Sequence, residues 1–140
     1  MREIVFRGKR LYNGEWIYGA FMPGNVYCKC QIVTSWIGED EQHRHWVKAF
    51  PVDEDTAGQY TGLKDKNGQR IFEGDILQFT NDDGEKSLYI CEWAQHGWYT
   101  RPFEDYLLGD YLDEFFCHYS IVIGNIHDNP ELLNNTEVDT

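Results

Sequence analysis

Four soft metal ligands, Cys28, Cys30, His43 and His45, fall within one short region of the chain. Residues two apart on a strand face the same way, so the Cys-x-Cys and His-x-His spacings could each offer a pair to zinc, which takes such ligands tetrahedrally. Structural zinc sites more often use Cys-x(2–4)-Cys, and two core thiols beside two loop histidines fit the same residues. The reading is therefore of no metal site, with these four as the set to check. Asp53, Glu54 and Asp55 would suit magnesium or acid–base chemistry; carboxylates on a loop also serve as helix caps or a solvated face. A third candidate is the stretch TGLKDKNGQRIFEGDILQF, residues 61–79. Aligned as a calcium loop on Gly68, it places Asp65 and Asn67 well but sets Leu63 and Gly74 at the first and twelfth positions, where carboxylates are required. Turn chemistry suits it better, because Asp opens and Gly closes a type I turn.

No phosphate loop, Gly-x-Ser-x-Gly, His-Glu-x-x-His or glycine-rich dinucleotide pattern occurs. His96 and His118 have no identifiable nucleophile beside them. Cys91 and Cys117 lie in apolar segments, where burial raises a thiol pKa and makes it inert. The sequence thus names no catalytic residue and calls for no cofactor, and the chain reads as a binding protein rather than an enzyme. The alternatives are a metal-dependent enzyme acting on nucleotides and a nucleic-acid-binding small barrel, the latter through cations around Arg2, Arg7, Lys9 and Arg10.

Short strands must position these residues. Asn13-Gly14 sits between two runs rich in aromatic and β-branched residues, a strong hairpin signal. In the second run Trp16, Tyr18 and Ala20 share one face, with Ile17 and Phe21 on the other. Pro23-Gly24-Asn25 marks a turn. VYCKCQIVT alternates and predicts a strand with Val26, Cys28, Cys30 and Ile32 inward. Residues 37–45 read as a polar loop and WVKAFPV as a strand; DEDTAGQYTG is a loop or one helical turn, which Asp53 or Asp55 would cap. DILQF, LYICEW and WYT are further strands separated by glycine-bearing turns. Short strands at short intervals mean a small antiparallel sheet or barrel. From Pro102 the rhythm changes. Phe103, Tyr106, Leu107, Tyr111, Leu112, Phe115 and Phe116 recur at helical spacing, which predicts one or two short helices near 103–116. YSIVIGNI returns to a strand, and 134–140 forms a frayed polar tail. The fold class is mainly β, or α+β.

At 140 residues the chain fits one domain over 1–133, or two small lobes at about 1–60 and 61–133. Apolar residues at 41% and aromatics at 16% suffice for a core. Five tryptophans are many for this length; they read as core, with base stacking or partner anchoring as the functional alternatives. Acidic residues outnumber basic ones 24 to 12, giving a net charge of −12, which repels phosphate backbones and suits a basic protein as partner. No apolar run approaches the roughly 18 residues of a membrane span and no secretion signal opens the chain, so a cytoplasmic location is expected.

FRGKRLYNGEWIYG, VDEDTAGQYTGLKDKNGQRIFEGDILQF and IVIGNIHDNPELL occur in that order. Together they resemble the YopX-like family of small proteins from bacteriophages and prophages. The resemblance implies a mainly β domain with an SH3-like or partial-barrel element around EGDILQF, self-association into a homo-oligomer, and no assigned reaction. It also implies that the cytoplasm is that of a bacterial host cell and that the basic partner is a host or phage protein. Glu54 stands where the resemblance implies proline.

Overall fold

The hairpin signal at Asn13-Gly14 opens the fold. In the computed structural model, which describes residues 4–39, 41–42, 45–104 and 109–137, β1 (Phe6–Lys9) pairs antiparallel with β2 (Trp16–Met22) in the register Phe6↔Gly19 to Lys9↔Trp16. The connection is a four-residue loop rather than a two-residue turn. Arg10 N–H donates to Glu15 O at 2.9 Å, and Gly14, at φ +73°, is the residue that takes the left-handed conformation.

The chain divides into two compact units, Met1–Tyr60 and Thr61–Thr140. In the first, β3 (Gln31–Glu39) and β4 (His45–Pro51) extend the hairpin, and β5 (Gly58–Lys64) begins on its other side, giving the order β4-β3-β2-β1-β5. Residues 37–39, read as loop, belong to β3 and pair with β4. The alternation read in β2 is present: Ile17 and Phe21 pack on a core of Cys30, Ile32 and Val52, while Tyr18, Ala20 and Met22 face outward. Phe6 and Phe21 rings lie 5.5 Å apart in this layer. The strand expected to begin at Val26 begins at Gln31 instead. The Asn25 side chain accounts for this, because its Oδ1 accepts the N–H groups of Tyr27 (2.7 Å) and Cys28 (3.0 Å) and removes them from any ladder. Val26, Tyr27 and Cys28 are exposed as a result, and of the two cysteines only Cys30 faces inward.

In the second unit β5 continues, followed along its sheet by β6 (Arg70–Phe72). A five-stranded sheet has the order β10-β9-β8-β7-β11, from β7 (Asp75–Thr80), β8 (Lys86–Ala94), β9 (Gly97–Pro102), β10 (Asp110–Tyr111) and β11 (Ser120–Asn125). DILQF is thus the interior strand β7, and the described strands form open sheets rather than a closed barrel. Ile71, Leu77, Cys91 and Cys117 form the core, with Trp98, Leu112 and Phe116 packed against it. Phe116 stacks on Phe79 at 5.0 Å and meets Tyr89 edge-on at the same separation.

Of the one or two short helices expected near 103–116, one is present, at the end of that stretch. Residues 105–108 lie outside the described residues, Asp110–Tyr111 is a strand paired with Tyr99 and Thr100, and α1 (Glu114–His118) is one short helix. Asp113 starts it, its Oδ1 accepting Phe116 N–H at 2.8 Å. A 3-10 helix, Pro130–Glu137, runs into the segment read as a frayed tail; residues 138–140 lie outside the described residues.

Candidate functional site

The polar residues of the recognisable motifs are engaged in turns. Asp65 Oδ1 accepts the N–H groups of Asn67 (2.8 Å) and Gln69 (2.9 Å), and Gly68 N–H donates to Asp65 O at 3.0 Å. Gly68, at φ +82°, completes the bulged hairpin that the Asp-Lys-Asn-Gly sequence specifies. Fully buried Asp75 accepts Phe72 N–H at 2.7 Å. Asn125 Oδ1 accepts from His127 (3.0 Å) and Asp128 (2.8 Å). Each of these oxygens satisfies backbone donors where the chain leaves a strand, so the motifs encode corners.

The metal candidates separate. Cys28 is exposed, and Cys30 is buried with its thiol donating to Val52 O at 3.4 Å. His43 lies outside the described residues, and of His45 only the backbone in β4 is described. Among the described residues no three His, Cys, Asp or Glu side chains converge on a point that could hold a metal ion. Burial pushes the Cys30 thiol pKa up, and the carboxylates of Glu54 and Asp53 push it further. Burial, followed by Asp113, pushes Cys117 up to about 11, which makes it a poor nucleophile. His118 ends α1 with its ring against Tyr119, and His96 sits in the β8–β9 turn.

The basic residues near the N-terminus lie on aromatic faces. Buried Arg7 covers Trp16 at 4.5 Å, and Arg10 covers Phe50 at 4.2 Å. Arg7 is therefore not presented to a phosphate backbone, and Arg2 lies outside the described residues. Among the tryptophans, Trp98 packs on the second core and meets the more exposed Trp93 edge-on at 5.0 Å. The side chains of Trp36 and Trp46 lie outside the described residues.

What the first unit does assemble is a cleft of about 790 Å³. Its floor is Phe21, Cys30 and Val52. One wall is the loop closed by Asn25, whose N–H donates to Cys28 O at 2.8 Å. Gly24 permits this closure, since a Cβ there would sit 2.7 Å from Cys30 N and 2.8 Å from Cys28 O. Val26 and Tyr27 stand on that loop 90% and 93% exposed. The facing wall is the 3-10 helix Glu54–Thr56, capped by Asp53, whose side chain accepts Asp55 N–H at 3.1 Å. Thr56 ties this turn to β1, its Oγ1 accepting Lys9 N–H at 2.9 Å. The sequence left the cap open between Asp53 and Asp55, and Asp53 fills it. Val26 and Tyr27 were not legible as a rim, although Pro23-Gly24-Asn25 ahead of them carries the signal, because Asn side chains bond backbone two and three residues onward.

An antiparallel β protein of two units, with an apolar-rimmed acidic cleft in the first, is the class that fold and site define. The sequence model of the YopX protein family matches residues 5–134, nearly the whole chain, and the protein belongs to that family. It is similar to the crystal structure of protein EF1440 from Enterococcus faecalis, at 28% identity and a TM-score of 0.62, covering 95% of this chain and 99% of that one. No curated protein matches the sequence.

Proposed function

We propose that this YopX-family protein acts by binding a protein partner rather than by catalysis, as an accessory protein of phages and prophages working in the cytoplasm of the bacterial host. The observation that carries this reading is the first-unit cleft, with Val26 and Tyr27 held almost fully in solvent on a loop tied down by Asn25. Large apolar side chains on a constrained loop are the usual anchors of protein interfaces, and their exposure is a cost that a partner would relieve. The net charge of −12 favours a basic partner and disfavours nucleic acid. Among the described residues no helix is long and apolar enough to cross a membrane. The reading includes self-association, to be checked by light scattering of the purified chain, where a monomer at all concentrations would contradict it.

The partner contact is tested by affinity capture from host cells, using the wild-type chain and a Val26→Ser/Tyr27→Ser chain. Specific protein retained by the wild type and lost from the variant is the expected result. Retention by both chains alike, or by neither, contradicts the reading.

A further inference from the structure

We propose that the first-unit cleft receives an extended segment of the partner in which a lysine or arginine stands beside an apolar side chain. This rests on the cleft being the partner contact and adds the chemistry of what enters it. The cleft presents two kinds of surface. Leu11, Val26 and Tyr27 supply exposed apolar area above a floor of Phe21 and Val52. Asp53, Glu54 and Asp55 supply three carboxylates against the single ammonium of Lys29 among the lining residues. The negative potential reaches the floor, since Glu54 and Asp53 both act on the Cys30 thiol.

A lysine or arginine answers both surfaces at once. Its methylenes lie against apolar side chains while the charged head pairs with carboxylates. The Tyr27 ring offers a further contact for the cation, and this chain already uses that pairing in Arg7 over Trp16 and Arg10 over Phe50. A volume of about 790 Å³ takes a few side chains, not a folded domain. An acidic segment would be repelled, and a second copy of this chain, with its own net charge of −12, is disfavoured as the occupant on the same ground.

The test is selection of a random displayed heptapeptide library on the immobilised full-length protein, followed by calorimetry with the synthesised winners. Cys28 gives a second readout, because it is the exposed thiol and lines the cleft. Enriched peptides are expected to carry lysine or arginine beside Leu, Ile, Val or an aromatic residue. They should slow modification of Cys28 by a thiol reagent, and bind a Glu54→Gln/Asp55→Asn chain of unchanged circular dichroism about tenfold more weakly. Winners that lack a cation yet slow Cys28 modification would overturn the basic occupant and leave the cleft as the contact. Winners that bind the charge-neutralised chain as tightly as the wild type would overturn it too. No enrichment above that on a Val26→Ser/Tyr27→Ser chain would overturn both the occupant and the cleft.

Discussion

Oδ2 of Asp65 accepts the backbone N–H of Val122 at 2.9 Å, across 57 residues of sequence. The same carboxylate closes its own turn through Oδ1, and Lys66 N–H donates to Ser120 O at 2.9 Å. The β5–β6 turn thereby satisfies the outer edge of β11, which β7 pairs on the other side. Asn81 builds the same turn at the β7–β8 corner: its Oδ1 accepts from Asp83 and Glu85, both at 2.9 Å, and Gly84 N–H donates to Asn81 O at 3.0 Å. One acceptor oxygen serves the exposed turn at Asn81. Two are needed at buried Asp65, which explains a carboxylate in one place and an amide in the other.

Asp65→Asn therefore keeps the turn and sets an amide NH₂ against the Val122 N–H. Two buried donors facing each other should cost about 1–3 kcal/mol. Asn81→Asp, on the surface, should change stability by no more than about 0.5 kcal/mol. Urea unfolding midpoints at equal slope decide the matter. Equal shifts in the two variants would remove the distinction between the turns.

Gly19 lies opposite the β3 backbone, and an added Cβ would meet the carbonyl group of Val33. Backbone cannot step aside as a flexible side chain can. Gly19→Ala should destabilise the first unit by about 1–3 kcal/mol. Gly97→Ala is the control, since its Cβ would rest 3.4 Å from the Tyr111 ring. There stability should hold or rise by up to about 1 kcal/mol. Urea unfolding of both variants, followed by tryptophan fluorescence, checks the contrast.

Thiol chemistry separates the four cysteines. Cys28 is exposed, and Cys30, Cys91 and Cys117 are buried. Native protein at pH 8 should lose one thiol rapidly to iodoacetamide, at Cys28, with the others reacting only on unfolding. Cys117 carries a pH consequence, because folding raises its pKa from 9.0 to about 11. The unfolded chain ionises first as pH rises. The stability tied to Cys117 is thus complete below about pH 9 and is lost as pH climbs through 11. Across that window the wild type should lose stability more steeply than Cys117→Ala, as read from urea midpoints.

Local signals in the sequence carried much of this fold. Asp65 and Gly68 named their turn, the Asp53/Asp55 pair marked a cap that Asp53 supplies, and Trp16 to Met22 alternated as a strand must. These depend on neighbours a few residues away. Two stretches were legible only in part, where a side chain or a distant strand took the backbone. At Val26 to Cys28 the alternating pattern was present, but Asn25 occupied the N–H groups a ladder would need. Near 103–116 the aromatic spacing suited a helix, yet Asp110–Tyr111 pairs with Thr100 and Tyr99, and Leu112 N–H donates to Trp98 O at 2.7 Å. Phe115 and Phe116 are helical because Asp113 caps there, and the strand before them answers to β9. The cleft was illegible for a related reason. Its two walls, at residues 23–30 and 52–55, are brought together by tertiary pairing such as Val52 N–H to Cys30 O at 3.1 Å, which no local pattern announces.

Replacing Tyr27 with the photoreactive p-benzoylphenylalanine, and irradiating host cells that express the chain, tests the cleft most directly. Phe115, exposed in the second unit, is the comparison position. A discrete crosslinked protein captured from position 27 and absent from position 115 is the expected result. No adduct at position 27, or the same adducts from both positions, would contradict the assignment of the cleft as the partner-binding surface.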